Sequence, residues 1–283
     1  MVGIIDIGSN TIRLVMYDSG KKLSNTAVTS EILHDTVDGH LTETGTQKLC
    51  SAIEYLKNEA KGHPVYAIAT FAFRVLSNQE EVKKEIFEKT GVLIDILSGK
   101  DEAKCDFSAL IREIGTEKTG IGVDLGGGSA QIFTFDKDNL LFFDSYPIGA
   151  KKIKKIFVEN VVPTDEETEK IKKYIEKYVK RVEGQSETIY MMGGTAKTAL
   201  RIYNLIKGTQ NVDCIAVNEL ENLLECIKSS TGEIIKEVFK SRYDNIACGI
   251  MAMDEIAKHL GASKIVVLPC GVREGYLAMN KIE

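Results

Sequence analysis

The sequence predicts an α/β protein. Three observations carry that expectation: short β-branched runs alternate with amphipathic stretches in both halves; Gly-rich turns repeatedly join a strand to a strand or helix; and one short pattern occurs twice. Asp6-Ile7-Gly8-Ser9-Asn10-Thr11-Ile12-Arg13-Leu14 resembles Asp124-Leu125-Gly126-Gly127-Gly128-Ser129-Ala130-Gln131-Ile132. Both run acid, aliphatic, glycine, two small residues, hydroxyl, any residue, polar, aliphatic.

The elements follow in order. Residues 2–18 read as a β-hairpin bent at Gly8-Ser9-Asn10. Residues 46–60 are helical, with Leu49, Ile53 and Leu56 on one face. A strand at 65–69 precedes a helix that Asn78 caps, with Glu81 in its third position and Gly91 past its end. After a strand at 93–97, Ser98 caps a helix that turns Ala103, Phe107, Leu110 and Ile114 inward and stops at Gly115.

A composition break at Thr116-Glu117-Lys118-Thr119 opens the second half. There a strand over 120–125, the turn Gly126-Gly127-Gly128, a strand over 131–135, a turn at 136–139 and a strand over 140–145 succeed one another. Thr164 and Glu167 form a capping box before a charged helix with the stripe Ile171, Ile175, Tyr178, Val179 and Val182. A strand at 188–192 runs into a helix opened by Gly193-Gly194-Thr195. Asn218, Thr231 and Asp244 begin three more helices, and a strand at 264–268 and a helix at 271–279 finish the chain. The expected division is residues 1–118 and 119–283.

Two packed domains fit within 283 residues. No apolar run is long enough to span a membrane, and the N-terminus shows no signal-peptide pattern. The expectation is a cytoplasmic protein without a membrane partner. Six scattered cysteines, none in a C-x-x-C pair, read as reduced buried thiols. A net charge of −5 argues against nucleic-acid binding. Any polyanion must therefore be held by local groups.

The two Gly loops supply such groups. Glycines let backbone N–H groups approach phosphate oxygens, and an aspartate at a strand end can hold a hard cation such as Mg²⁺. One such loop alone reads more simply as a tight turn with a solvated acid; two, a domain apart, point to a cleft between facing phosphate loops. Gly193-Gly194-Thr195 opens a helix, where anions are favoured, though alone it reads as an ordinary strand–helix connection. In Ser98-Gly99-Lys100-Asp101-Glu102-Ala103, Asp101 complements the helix dipole. Glu102, were it to face the cleft, could orient or deprotonate a water. Arg74 lies in an apolar stretch, and its guanidinium either pairs a carboxylate or clamps a phosphate. The residues alone leave those two equally open.

Together these segments resemble the exopolyphosphatase and guanosine pentaphosphatase (Ppx/GppA) family of the actin, sugar-kinase and heat-shock ATPase superfamily. The resemblance runs in order through Asp6 to Thr11 with Arg13, Ala69-Thr70 to Arg74 and Asn78, Ser98-Gly99 with Glu102-Ala103, and Asp124 to Ser129. It continues through Pro147-Ile148-Gly149, Gly193-Gly194-Thr195, Arg242 with Asp244, and Gly271 to Gly275.

The resemblance implies two ribonuclease-H-like domains around a phosphate-binding cleft, with Glu102 as catalytic base and Arg74 gripping phosphate. It places Gly8, Ser9, Asn10, Thr11 and Arg13 in one phosphate site and Gly126, Gly127, Gly128 and Ser129 in another, with Gly193, Gly194, Thr195 and Arg242 as further contacts. It gives Mg²⁺ to Asp6, Asp124 and Gln131, and a structural role to Gly271–Gly275, with the final helix at about 271–283 packing back on the first domain. The implied reaction is Mg²⁺-dependent release of terminal phosphate from polyphosphate, guanosine pentaphosphate or both, by an enzyme compatible with a homodimer. Two other readings stand beside it: a catalytically weak regulator that binds polyphosphate or guanosine tetraphosphate, and an ATP-dependent kinase or ATPase. One departure bears on activity. After the Gly-Gly-Gly-Ser turn the family has Thr-Glu, where this chain has Ala130-Gln131. Gln131 either supports the metal through a neutral amide or points into a sheet.

Overall fold

A computed structural model describes residues 1–9, 11–29, 32, 34–210, 212–229, 236 and 242–282. It divides into two compact units, Met1–Cys105 with Val272–Glu283, and Asp106–Gly271.

The first unit is built on a five-stranded sheet in the order β3-β2-β1-β6-β7. The strands are β1 (Val2–Ile7), β2 (Thr11–Asp18), β3 (Lys21–Thr29), β6 (Val65–Ala69) and β7 (Ile94–Ile96); β4 (Thr36–Val37) and β5 (His40–Leu41) form a separate small ribbon. β1 pairs antiparallel with β2 and parallel with β6, and β6 pairs parallel with β7. Helices α1 (Glu43–Glu59), α2 (Phe71–Arg74) and α3 (Gln79–Thr90) complete the crossovers, and α4 (Gly99–Ile114) begins in this unit. β1 is buried along nearly its whole length, as expected of a central strand. Leu49, Ile53 and Leu56 lie in the core beneath it.

The second unit repeats the plan. Its sheet has the order β10-β9-β8-β11-β13-β12, from β8 (Thr119–Leu125), β9 (Ala130–Asp136), β10 (Asn139–Tyr146), β11 (Thr188–Met192), β12 (Cys214–Ala216) and β13 (Lys264–Val267). β8 is antiparallel to β9 and parallel to β11, so the first five strands reproduce the order and directions of the first sheet. β12 adds an antiparallel edge. The helices are α5 (Ala150–Phe157), α6 (Asp165–Val179), α7 (Gly193–Lys207), α8 (Glu219–Lys228) and α9 (Tyr243–His259), while α10 (Val272–Met279) falls in the first unit. Both sheets are thus of the ribonuclease-H-like type. Among the described residues no helix is long and apolar enough to cross a membrane.

Several local expectations change. The first boundary lies inside α4, at Cys105/Asp106, before the composition break at 116–119. The reason is aromatic packing: Phe107 sits 6.1 Å from Phe133 and 5.9 Å from Phe135, ring centre to ring centre. Leu110 lies against the space left by the missing side chain of Gly122. Asn78 stands at the start of α3 but makes no side-chain cap. Its amide instead accepts from the Leu41 N–H and donates to the Leu41 carbonyl, tying β5 to the helix start. α1 begins three residues before 46, because Thr42 accepts from the Gly45 N–H and so caps the helix. The α6 capping box forms with both of its bonds. β3 escaped the pattern reading because it is a largely exposed polar strand, and α5 because it is short and lysine-rich. The helix expected at Thr231 lies outside the described residues.

Candidate functional site

The duplicated pattern is a duplicated structure. In the first hairpin Asp6 faces Arg13 across the strands and Ile7 faces Ile12; in the second, Asp124 faces Gln131 and Leu125 faces Ala130. The Gly8 N–H donates to the Thr11 carbonyl at 3.2 Å, and the Gly126 N–H donates to the Ser129 carbonyl at 3.0 Å. Both turns therefore close through the same backbone bond. Asn10, expected in the first loop, lies outside the described residues. Gly8, Ser9 and Thr11 are partly exposed on that loop.

Within the first unit, the structure joins the two residues expected to carry catalysis. Arg74 ends α2, and Glu102 lies in the first turn of α4. Arg74 Nη1 donates to Glu102 Oε2 and to the Leu97 carbonyl, each at 2.7 Å. Glu102 is 6% exposed, so its carboxylate is held in one place by a partly buried guanidinium. Ser98 Oγ accepts from the Asp101 N–H and fixes the helix start. Of the two partners left open for Arg74, the structure shows the carboxylate.

Asp6 is likewise paired. Arg273, in the first turn of α10, donates through Nη1 to Asp6 Oδ2 at 2.7 Å. Tyr17 donates to Glu274 at 2.6 Å. Burial lowers the Arg273 pKa, but Asp6, Glu274 and Tyr17 outweigh it, and the net shift is upward. Arg13 donates to Asn25 at 2.8 Å; burial and then the charge of Arg273 lower its pKa, opposed by Asp6. The segment 271–275, expected to be structural, thus delivers an arginine to an expected metal ligand. The sequence signal was present, since a charged Arg-Glu pair opens an otherwise apolar helix.

The second unit gathers its expected residues around Asp124. Gly193 has a positive φ of 89°, and a side chain there would run into the Asp124 carboxylate and the Leu125 backbone. Only glycine meets both conditions. The Arg242 guanidinium lies against Gly194, where a Cβ would stand, so Gly194 and Arg242 are neighbours. Gly149 is packed onto the loop itself: its missing Cβ would stand 2.5 Å from the backbone of Gly127, Gly128 and Ser129. From there the Ala150 N–H donates to the Gly126 carbonyl at 3.1 Å and the Lys152 N–H to the Gly127 carbonyl at 3.0 Å. Lys151 runs alongside Gly127, a cation that the motif reading passed over because α5 was not anticipated.

Three of the expected residues, Gln131, Ser129 and Thr195, are buried. Gln131 is 1% exposed and donates through Nε2 to Ser129 Oγ at 3.0 Å and Ser145 Oγ at 2.9 Å. Its contact with the loop runs through Ser129, itself buried. Thr195 is 1% exposed; its methyl group lies where a side chain on Gly249 would go, so it packs inward from the start of α7.

Among the described residues, no three His, Cys, Asp or Glu side chains gather as a metal cage. Mg²⁺ is commonly held by one or two carboxylates, with waters and substrate phosphates completing the octahedron. Asp124, partly exposed at a strand end beside a hydroxyl-bearing loop, has the donor chemistry for it.

The comparisons agree with this architecture. The family model of the Ppx/GppA phosphatase family matches residues 27–281. Exopolyphosphatase 1 of Mycobacterium tuberculosis is 24% identical over 307 residues, covering 100% of this chain and 88% of that protein. A bifunctional 3-dehydroquinate synthase/phosphatase of Fusobacterium nucleatum is 26% identical over 293 residues, covering 93% of this chain and 44% of that protein. Among solved structures, an exopolyphosphatase from Cytophaga hutchinsonii superimposes with a TM-score of 0.86 at 18% identity, covering 100% of this chain and 98% of that one. The Aquifex aeolicus Ppx/GppA family member gives 0.81 at 22%, with the same coverage. These structural likenesses establish the shared fold, and the family model, which spans most of the sequence, establishes that the chain is a member of the Ppx/GppA phosphatase family.

Proposed function

We propose that the chain is a Mg²⁺-dependent phosphoanhydride hydrolase that releases terminal phosphate from inorganic polyphosphate, with guanosine pentaphosphate as a second substrate class. The observation that carries this reading is the buried Glu102 carboxylate locked to Arg74 at 2.7 Å. The names of the exopolyphosphatase relatives support the substrate class.

The chemistry follows from the residues. Glu102, fixed in direction, orients a water toward phosphorus and takes its proton as the P–O bond to the rest of the chain breaks. Arg74 spends two N–H bonds on Leu97 and Glu102; a guanidinium has five donors, leaving others for a phosphoryl oxygen. Backbone N–H groups of the Gly-rich turns hold further oxygens by position and field. Mg²⁺ on Asp124 would neutralise phosphoryl charge. In-line positioning and charge stabilisation are the main sources of rate in phosphoryl transfer.

A second reading has its own observation. Gln131 brings no charge to the side of Asp124, which suits a phosphate-binding regulator with little turnover. Phosphate release from polyphosphate and from guanosine pentaphosphate, with and without Mg²⁺, tests both readings. Turnover that depends on Mg²⁺ supports the hydrolase. Tight binding of polyphosphate or guanosine tetraphosphate with barely detectable release supports the regulator. Release that requires a nucleoside triphosphate would point to a kinase or ATPase.

A further inference from the structure

Within the second unit, the backbone that seats the second Gly loop has a brace of its own. The Gly126 and Gly127 carbonyls accept from the Ala150 and Lys152 N–H groups at 3.1 and 3.0 Å. A trans peptide sets its C=O and N–H in opposite directions. With those two carbonyls turned to α5, the N–H groups of Gly127 and Gly128 are turned away from it. Their aim therefore depends on where α5 begins. That start has no side-chain cap. It is approached through Tyr146-Pro147-Ile148, where the Ile148 N–H donates to the Tyr146 carbonyl at 2.8 Å. This is a three-residue turn centred on Pro147, with Tyr146 and Ile148 both buried.

The Pro147 carbonyl is taken by a side chain from another helix. Tyr174, in α6, donates its hydroxyl to that carbonyl at 3.0 Å. The Tyr174 ring lies 5.0 Å, centre to centre, from that of Phe157, the last residue of α5, and 5.2 Å from that of Tyr178. Tyr178 is in turn 6.1 Å from Tyr146. One side chain thus meets the α5 segment at both ends: by its hydroxyl just ahead of Gly149, and by its ring at Phe157. Burial, with Tyr178 beside it, raises the Tyr174 pKa to about 12, so the hydroxyl keeps its proton and its donor role at neutral pH.

We infer that Tyr174 is a positioning residue of the second Gly loop: through the Pro147 carbonyl it sets the seat of Gly149 on Gly127, Gly128 and Ser129, and so aims the Gly127 and Gly128 N–H groups at a phosphate oxyanion. The tolerance is small. The place of the missing Gly149 Cβ is 2.5 Å from the loop backbone, and hydrogen bonds to an oxyanion weaken steeply with misalignment. The inference rests on the proposed phosphate-binding function of this loop.

Two variants of the full chain test it. Tyr174→Phe removes the hydroxyl and keeps the ring, whereas Phe157→Leu trims the ring contact and keeps the hydroxyl bond. Two readouts are taken well below the melting transition. One is calorimetric binding of imidodiphosphate, a phosphoanhydride mimic with a P–N–P bridge, in the presence of Mg²⁺. The other is hydrogen exchange of the Gly126, Ala150 and Lys152 amides, which the seated loop protects. In Tyr174→Phe the imidodiphosphate dissociation constant is expected to rise by about three- to tenfold, the range for one lost intramolecular hydrogen bond, and the three amides to exchange faster. KM for polyphosphate should rise with it, kcat changing less. Phe157→Leu is expected to lower the melting temperature and leave the affinity at its natural value.

A purely structural tyrosine would lower the melting temperature and leave the affinity of the folded protein untouched. A folded Tyr174→Phe with natural imidodiphosphate affinity therefore overturns the inference, as does unchanged exchange of the three amides. Equal loss of affinity in Phe157→Leu overturns it too, because packing and not the hydroxyl bond would then set the loop. Each of these results leaves the hydrolase reading standing if the natural chain releases phosphate. A natural chain that binds no imidodiphosphate overturns both.

Discussion

At the scale of single residues, the pair Arg74–Glu102 concentrates the chemistry. Glu102→Gln keeps an oxygen that can accept from Arg74 Nη1, so the fold is expected to persist while proton transfer is lost. Turnover should fall by about 10²–10⁴, the range for removing a general base, with polyphosphate binding retained; steady-state phosphate release and circular dichroism check the two halves. Near-natural turnover would make Glu102 only a helix-start acid with an arginine partner. Gln131 is the second test. Its cross-strand partner is Asp124, and neighbours in such a pair project from the same sheet face. Gln131→Glu therefore puts two carboxylates side by side at a buried position. Without metal the pair repels, and the melting temperature should fall in EDTA. With Mg²⁺ the pair becomes a stronger cation site, so the Mg²⁺ concentration for half-maximal activity should drop and the lost stability return. A melting temperature lowered equally with and without Mg²⁺ would show that Gln131 serves only Ser129 and Ser145.

At the scale of elements, the seating of α5 on the second loop is the most exacting contact. Its start has no side-chain cap; its first N–H groups donate to the carbonyls of Gly126 and Gly127 instead. A helix end satisfied by another loop's backbone requires that backbone to come close. Gly149 permits this, because a Cβ there would stand 2.5 Å from three consecutive loop residues. Gly149→Ala should force the loop and helix apart, at a cost of about 1–3 kcal/mol for overpacking. Since about 1 kcal/mol shifts the melting point by roughly 2–4 °C in a protein of this size, thermal unfolding will register it. Phosphate affinity should weaken in the same variant. An unchanged melting point would mean that the loop gives way freely and that its shape is not set by α5.

At the scale of the whole molecule, the chain order and the structural units differ at one end. Val272–Glu283 belongs to the unit that contains the first strand, and α10 supplies Val272, Leu277 and Arg273 to it. A chain ending at Gly271 would expose the face of Val2, Ile4 and Tyr17 that these residues cover. It would also leave Asp6, 17% exposed at present, without its arginine. Removing one partner of a fully buried ion pair costs about 3–5 kcal/mol; this partly buried pair costs less, and the lost apolar burial adds to it. Such a truncated chain is expected to unfold at markedly lower temperature or to fail to fold, as circular dichroism melting would show. A cooperative transition at the natural temperature would mean that the first unit is complete without α10.

The sequence by itself determined the α/β class, the order of most elements and the repeated hairpin, because each rests on local causes. Strand alternation, turn glycines and the Thr164–Glu167 box act over a few residues, and their signals survive whatever surrounds them. It also singled out Glu102, Arg74 and the two Gly loops as residue types suited to phosphate chemistry. Only the tertiary structure decided how those residues are partnered. That Arg74 has a carboxylate partner was open until folding brought the end of α2 to Glu102 in α4. Asp6 and Asp124 looked alike until α10 returned to β1 with Arg273, from the far end of the chain. That Gln131 is buried and bonded to Ser129 and Ser145 was likewise decided by the sheet. The unit boundary moved from the polar break at 116–119 into α4, where aromatic packing between residues distant in sequence outweighs local composition. Propensity is written in neighbours along the chain, whereas the charge state and reach of a side chain depend on neighbours in space.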